Sequence, residues 1–301
     1  MRLLRGLVLL LFFAASTSAF AAKPTPPIAA DDLVFAEQNG LLAVEAEHFS
    51  KQTLTKTRAW HLTTSKSQPK VTPDGDPPHV GGASGGAYLE VLPDTRRTHD
   101  DKLIAGENFS NQPGKLAVLH YQVHFSTPGR YYVWVRAHST TSEDNGLHVG
   151  IDGTWPDSGQ RLQWCAGKRT WRWESKQRTQ KEHCGVPHQI YLDVKEAGEH
   201  TIHFSMREDG FEFDKWFMTN DREFKRPSDA GPESKVHSGV PPKNYPPVTV
   251  AAQTEQSPQR KLPFTPRASA GSSDATVTLN DNCELDLGSA DDVHVRGEAS
   301  S

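Results

Sequence analysis

The chain has 301 residues, of which 35% are apolar, and a formal net charge of −4. That balance excludes a basic nucleic-acid binder and a polyanion, and the length suits one medium-sized core with appended segments. The N-terminal apolar run is too short for a membrane-spanning helix, which needs about 20 residues, and no later run approaches that length, so no membrane span is expected.

Residues 1–22 begin with Arg2 and Arg5, run apolar from Gly6 to Ala15 and end in Ala19, Phe20 and Ala21. This small-x-small ending after a short apolar run is the pattern of a signal peptide. It predicts a secreted, periplasmic or cell-surface protein. Residues 23–32 form a Pro-rich leader.

From 33 to 224 the sequence reads as short strands separated by turns. Residues 41–47 put Leu42, Val44 and Ala46 on one face. Residues 116–125 alternate, with Ala117, Leu119, Tyr121, Val123 and Phe125 inward. After a turn at 126–129, residues 130–138 alternate again. Tyr131, Val133, Val135 and Ala137 face in, and Tyr132, Trp134, Arg136 and His138 face out. Further strands are predicted at 87–91, 147–151, 189–194, 200–206 and 211–218, joined by Gly- and Asn-containing turns. Many short strands with such turns indicate an all-β, jelly-roll β-sandwich.

Residues 155–184 interrupt this pattern. They hold four of the seven tryptophans (Trp155, Trp164, Trp171, Trp173) and two of the three cysteines. In an oxidising compartment Cys165 and Cys184 are expected to pair, closing this excursion; Cys283 is free or paired between chains. Seven Lys or Arg, among them Arg169 and Arg172, face three acids, a local charge of +4. Flat aromatic faces among cations suit a sugar polymer, and the charge favours an anionic one. The same indoles could instead be the core of the excursion. The outward face of Tyr132 and Trp134 could line a sugar groove or lie beneath the excursion, and the second is favoured.

Beyond 224 the pattern stops. Residues 225–270 are predicted as a Pro-rich linker and 271–301 as an acidic tail of low order.

Glu45 and Glu47 are two apart in a strand, as are Glu212 and Asp214. If the first and last strands are neighbours, these carboxylates converge on an oxygen-rich pocket suited to Ca²⁺. General acid–base use and ordinary surface pairing with Lys or Arg are the alternatives. No nucleophile elbow, metalloprotease, Walker or dinucleotide motif occurs, so no catalytic residue is assigned. The glycine-rich stretch 81–86 reads as a loop entering a strand, and the acidic 141–146 as a hairpin turn.

Five stretches in this order, VEAEHF (44–49), GGAYL (85–89), PGRYYVWVR (128–136), AGEHTI (197–202) and DGFEFDKW (209–216), resemble carbohydrate-binding modules of families 6 and 35. The chain is also similar to the C-terminal domain of family 115 glycoside hydrolases. The resemblance implies a galactose-binding-like β-sandwich that accompanies a polysaccharide-degrading enzyme. It further implies a structural Ca²⁺ held by Glu45, Glu47 and Asp214, and a ligand site in loops at one end. Glu212 stands where that class often carries a sugar-contacting Asn. The function expected is non-catalytic binding of an extracellular polysaccharide. The ligand-binding candidates are Trp171, Trp173, Trp164, Trp155, Arg169, Arg172, Tyr132, Trp134 and Glu212. A lyase or hydrolase using Glu212 with His138 or Tyr132 is the alternative, and an adhesive surface protein the third.

Overall fold

The computed structural model describes residues 33–239 and, beyond them, four strands: Phe264–Ala270, Thr278–Leu279, Leu285–Asp286 and Val293–Ala299. The predicted signal peptide, the leader, Cys283 and most of the predicted linker and tail lie outside the described residues. The chain divides into two compact units, Met1–Ala251 and Ala252–Ser301. In the second, Phe264–Ala270 pairs antiparallel with Val293–Ala299, and Thr278–Leu279 with Leu285–Asp286.

In the first unit the strands run β1 (Val34–Ala36), β2 (Leu41–Glu45), β3 (Lys51–Thr53), β4 (Ala59–Thr64), β5 (Ala87–Leu92) and β6 (Val118–Phe125). There follow β7 (Gly129–His138), β8 (Gly146–Ile151), β9 (Leu162–Gln163), β10 (Arg172–Glu174) and β11 (Lys176–Gln177). The last are β12 (Val186–Pro187), β13 (Tyr191–Val194), β14 (Gly198–Met206), β15 (Glu212–Thr219) and β16 (Val236–Ser238). They form two sheets. A nine-stranded sheet has the order β12-β11-β9-β8-β14-β6-β1-β16, with β3 also paired to β6. A seven-stranded sheet has the order β10-β7-β15-β5-β4, with β13 paired to β7 and β2 to β15. Among the described residues no helix is long and apolar enough to cross a membrane. The sandwich predicted from the alternation is the fold observed.

The inward residues of both sheets make one core. Leu119, Tyr121, Val123 and Phe125 of β6 meet Tyr131, Val133 and Val135 of β7, all fully buried. Trp216 of β15 lies edge-on to Tyr121 at 5.1 Å. Trp60, also buried, donates its indole N–H to the Ala117 carbonyl at 2.7 Å, so its one polar atom is satisfied inside the core.

The outward face of β7 is covered as well. Trp134 stacks on Phe217 at 5.8 Å, and both belong to a second apolar cluster with Ala43 and Trp173. The excursion contributes by extending the sheet: β10 adds beside β7, pairing Trp173 with Arg136. Phe224 closes over Phe217 at 5.1 Å. The packing does not stop at the expected boundary of 224. Trp173 donates to the Asp229 carbonyl at 2.9 Å, and β16 pairs with β1. Residues 225–239 are therefore a strap on the sandwich rather than the start of a linker.

Candidate functional site

The strands β7, β15 and β5 lie side by side, and their register sets Glu212 opposite both His138 and Glu90. Phe211 and Phe213 point into the core on either side of Glu212, which sends the carboxylate to the opposite face. The loop between β4 and β5 folds over this point. It lays His79 on His138, ring centroids 3.8 Å apart and 23° from parallel. His79 Nδ1 is 2.9 Å from Glu212 Oε2, and His138 Nδ1 is 2.8 Å from the same oxygen. The His79 backbone is clamped from both sides: its N–H donates to the Tyr88 hydroxyl at 3.1 Å, and its carbonyl accepts from Trp171 Nε1 at 2.9 Å.

Trp171 is half-buried, edge-on to Tyr88 at 5.3 Å and to His138 at 5.4 Å. The Arg136 guanidinium lies 5.6 Å from its ring centre. Trp171 also borders a pocket of about 220 Å³ with Arg172, Trp173, Arg226 and Asp229. Arg226 also borders a neighbouring pocket of about 340 Å³ lined by Trp134, Lys176, His188 and Phe224. The two pockets flank β10.

Acid surrounds the histidine pair. Burial pushes the Glu90 carboxyl well above the usual carboxylate range, and Glu212 and Asp74 add to it. Asp74 and Asp76 are also raised, chiefly by burial. Burial acts on Glu212 in the same direction. Hydrogen bonds from His138 and His79 outweigh it and hold that carboxyl low. The bond to Glu212 in turn raises His79.

Next to this group the three expected calcium ligands meet. A bulge between Phe213 and Lys215 re-aims the chain at Asp214. Asp214 Oδ1 accepts from the Ser84 N–H at 2.7 Å, and Oδ2 from Arg136. Glu45 Oε1 accepts from the Ser84 hydroxyl at 2.9 Å and contacts Lys215 Nζ at 2.7 Å. Glu45 Oε2 is buried without a hydrogen-bond partner. Glu47 is fully buried, and burial, then Glu45, then Asp214 push its carboxyl up. Burial also raises Asp214, to about 7, against the opposing pull of Arg136. Ser84 is presented by a turn in which Gly85 and Gly86 take φ of 64° and 70°, values that favour glycine. The glycine-rich 81–86 is thus a loop entering a strand, as read, and it also supplies donors to these carboxylates.

The other expected ligand residues do not form one surface. Trp164 is in the main core, edge-on to Phe211 at 5.0 Å. Trp173 is 1% exposed beneath the 225–239 strap. Neither can offer a ring face to a sugar, which corrects both assignments: the core needed these indoles for packing. Trp155 lies elsewhere, half-buried against the nine-stranded sheet, its ring centre 5.9 Å from that of His203. Trp134 is 8% exposed and stacked on Phe217, so its ring face is taken too. Tyr132 packs edge-on to Tyr191 at 6.1 Å, away from Glu212. Arg169 is exposed. Arg172 is held by Glu174 at 3.0 Å, the same buried carboxylate that takes Arg226 at 2.9 Å. Glu174 is already counted in the local +4, so this pairing leaves that net charge unchanged while tying Arg172 down. Cys165 and Cys184 are bonded to each other. Sequence reasoning missed His79, Glu90, Asp74, Asp76 and Tyr88. A turn-rich loop carrying two Asp and a His between two strands was the available signal.

The glycosyl hydrolase family 115 C-terminal domain matches residues 78–234. The chain belongs to this family. It is also 58% identical over 219 residues to "Uncharacterized protein P23" of Formosa agariphila, covering 73% of this chain and 53% of that protein. The chain thus spans about half the length of that curated relative. Among solved structures, a family 35 carbohydrate binding module from Clostridium thermocellum is 18% identical at a TM-score of 0.34. That match covers 59% of this chain and 97% of that one. A CBM35 from Paenibacillus barcinonensis is 16% identical at a TM-score of 0.32, covering 60% of this chain and 98% of that one. The matched segment begins one residue before His79 and ends within the strap, so the family's span takes in His79, Glu90, His138, Trp171 and Glu212.

Proposed function

We propose that this domain binds an extracellular polysaccharide without cleaving it, along the pockets that flank β10, with Trp171 as the aromatic contact. The observation that carries the reading is the position of Trp171. It is the half-buried indole of the excursion that both borders a pocket and contacts the His138 imidazole. Saccharides need that combination, C–H groups against an aromatic and hydroxyls against carboxylates, imidazoles and guanidinium groups. Exposed cations at Arg169, Lys181 and Lys225 favour an anionic polymer. The signal-peptide pattern of residues 1–22 supports export to the periplasm or cell exterior. The role is that of an accessory module, holding a polysaccharide-degrading enzyme near its polymer and raising the effective concentration. The test is retention on immobilised polysaccharides beside reducing-sugar and lyase assays on the same polymers. Retention without turnover is expected, and turnover by the purified domain overturns the reading. The lyase alternative draws on one observation, Glu212 beside His138, and that assay decides it.

In the same reading Glu45, Glu47 and Asp214 hold a calcium ion that supports the fold. An all-oxygen, buried donor set is of the calcium kind, and Glu45 Oε2 has hydrogen-bonding capacity to spare. Arg136 and Lys215 supply two positive charges against the three carboxylates, leaving one negative charge for the ion to offset. Calcium at about 100 times its dissociation constant should stabilise the domain by roughly 2.7 kcal/mol. Melting after chelation, and again after adding back Ca²⁺ or Zn²⁺, measures this. A melting temperature that calcium does not restore removes the ion from the proposal.

A further inference from the structure

We infer that His79, His138 and Glu212 form a binding site for a divalent transition-metal ion of the zinc class. The site is separate from the calcium ligands and adjoins Trp171, but its argument does not rest on glycan binding. Three facts converge on it. First, two imidazole nitrogens and one carboxylate oxygen, one from each residue, all lie within 4.8 Å of one another. The N···O separations of 2.8 and 2.9 Å mean that small movements would place all three around one ion at about 2.0–2.1 Å. Second, the donors are held on rigid supports. His138 and Glu212 are register partners on adjacent strands, and His79 is fixed through both its backbone N–H and its carbonyl. Such support orients ligands before an ion arrives. Third, the surroundings favour a cation: Glu90 on β5 is the register partner of Glu212 on β15, with Asp74 and Asp76 close to Glu90. Buried carboxylates in register repel one another, and a divalent ion lowers that cost.

The donor chemistry selects the ion. Two nitrogens and one oxygen suit Zn²⁺ or a neighbouring first-row ion, whereas Ca²⁺ and Mg²⁺ prefer oxygen alone. Three protein ligands leave a tetrahedral ion one position for an outside donor. The side chain of His79 is about 20% exposed while those of His138 and Glu212 are nearly closed off, so that position opens on the His79 side.

The test uses the full-length protein, stripped of metal and titrated with Zn²⁺ and, separately, Co²⁺. One tightly bound zinc per chain is expected, with a Co²⁺ visible spectrum of nitrogen–oxygen ligation. His79→Gln and His138→Gln should each weaken zinc binding at least tenfold. A His124→Gln control should leave it unchanged, since the stacked His124–His237 pair lies elsewhere on the fold. Circular dichroism checks that each variant is folded. His79→Gln alone suffices if His138→Gln fails to fold, because His79 lies on a loop. No stoichiometric uptake, or zinc affinity unchanged in folded His79→Gln, overturns the inference. Glycan retention is measured separately, so its failure would leave the metal result standing.

Discussion

Trp171→Ala should abolish retention on polysaccharide and leave the domain folded, whereas Trp173→Ala should destabilise the fold sharply and leave the binding surface intact. The two indoles are two residues apart and border the same pocket, yet their surroundings differ. Trp173 is 1% exposed, packed edge-on to Phe217 at 4.9 Å and capped by the Asp229 carbonyl. Removing it opens a cavity beneath the strap, and truncations of this kind cost about 3–5 kcal/mol. Trp171 has solvent on one side. Its loss deletes one hydrogen bond, to His79, a net contribution of about 0.5–1.5 kcal/mol, together with ring contacts at the edge of the fold. The expected result is at least a tenfold loss of affinity for Trp171→Ala, about 1.4 kcal/mol, with a modest fall in melting temperature. Trp173→Ala should bind normally per folded molecule while melting much lower. Unchanged affinity in folded Trp171→Ala would move the glycan site away from this indole.

That contrast marks the limit of what the sequence carried. The strands at 118–125, 129–138 and 212–219 were legible because alternation and turn residues are local signals. The disulfide was legible from compartment and spacing. The two tryptophans could not be told apart, because what buries Trp173 is a segment over fifty residues away, with the composition of a linker. The histidine cluster was hidden for a related reason. His79 and Glu212 are 133 residues apart, and they meet only because β5, β15 and β7, not consecutive in sequence, are neighbours in one sheet. Glu45, Glu47 and Asp214 were named because a family resemblance supplied the long-range pairing. The Glu-x-Glu spacing alone left ordinary ion pairs equally open, and Arg136 and Lys215 are indeed paired with two of the three.

Asp209→Ala should be among the most damaging single substitutions in the domain, although Asp209 touches none of the proposed ligands. Its carboxylate is fully buried, and Oδ2 accepts from Arg58 Nε at 3.2 Å and from Arg58 Nη2, the Thr95 N–H and the Thr95 hydroxyl at 2.8 Å each. Arg58 is 6% exposed, so losing its partner leaves a guanidinium stranded out of water. Breaking a buried pair in this way costs about 3–5 kcal/mol, well above the about 0–1 kcal/mol of an exposed pair such as Arg130–Asp193. In a domain of this size that corresponds to a fall of about 10 °C in melting temperature. Asp209→Asn keeps the shape without the charge and should fall between. Arg58→Met added to Asp209→Ala should recover much of the loss, because the stranded charge goes with it. The effect should also reach the candidate site. Asp209 anchors Thr95, and the adjacent Asp94 lies so close to Gly210 that a Cβ there would meet its carboxyl carbon at 2.7 Å. Asp94 contributes to the field on Glu90, so slackening this corner loosens one wall of the acidic pocket. A loss below about 1 kcal/mol, or a double variant no more stable than Asp209→Ala, would mean that the network is not what fixes this end of the sandwich.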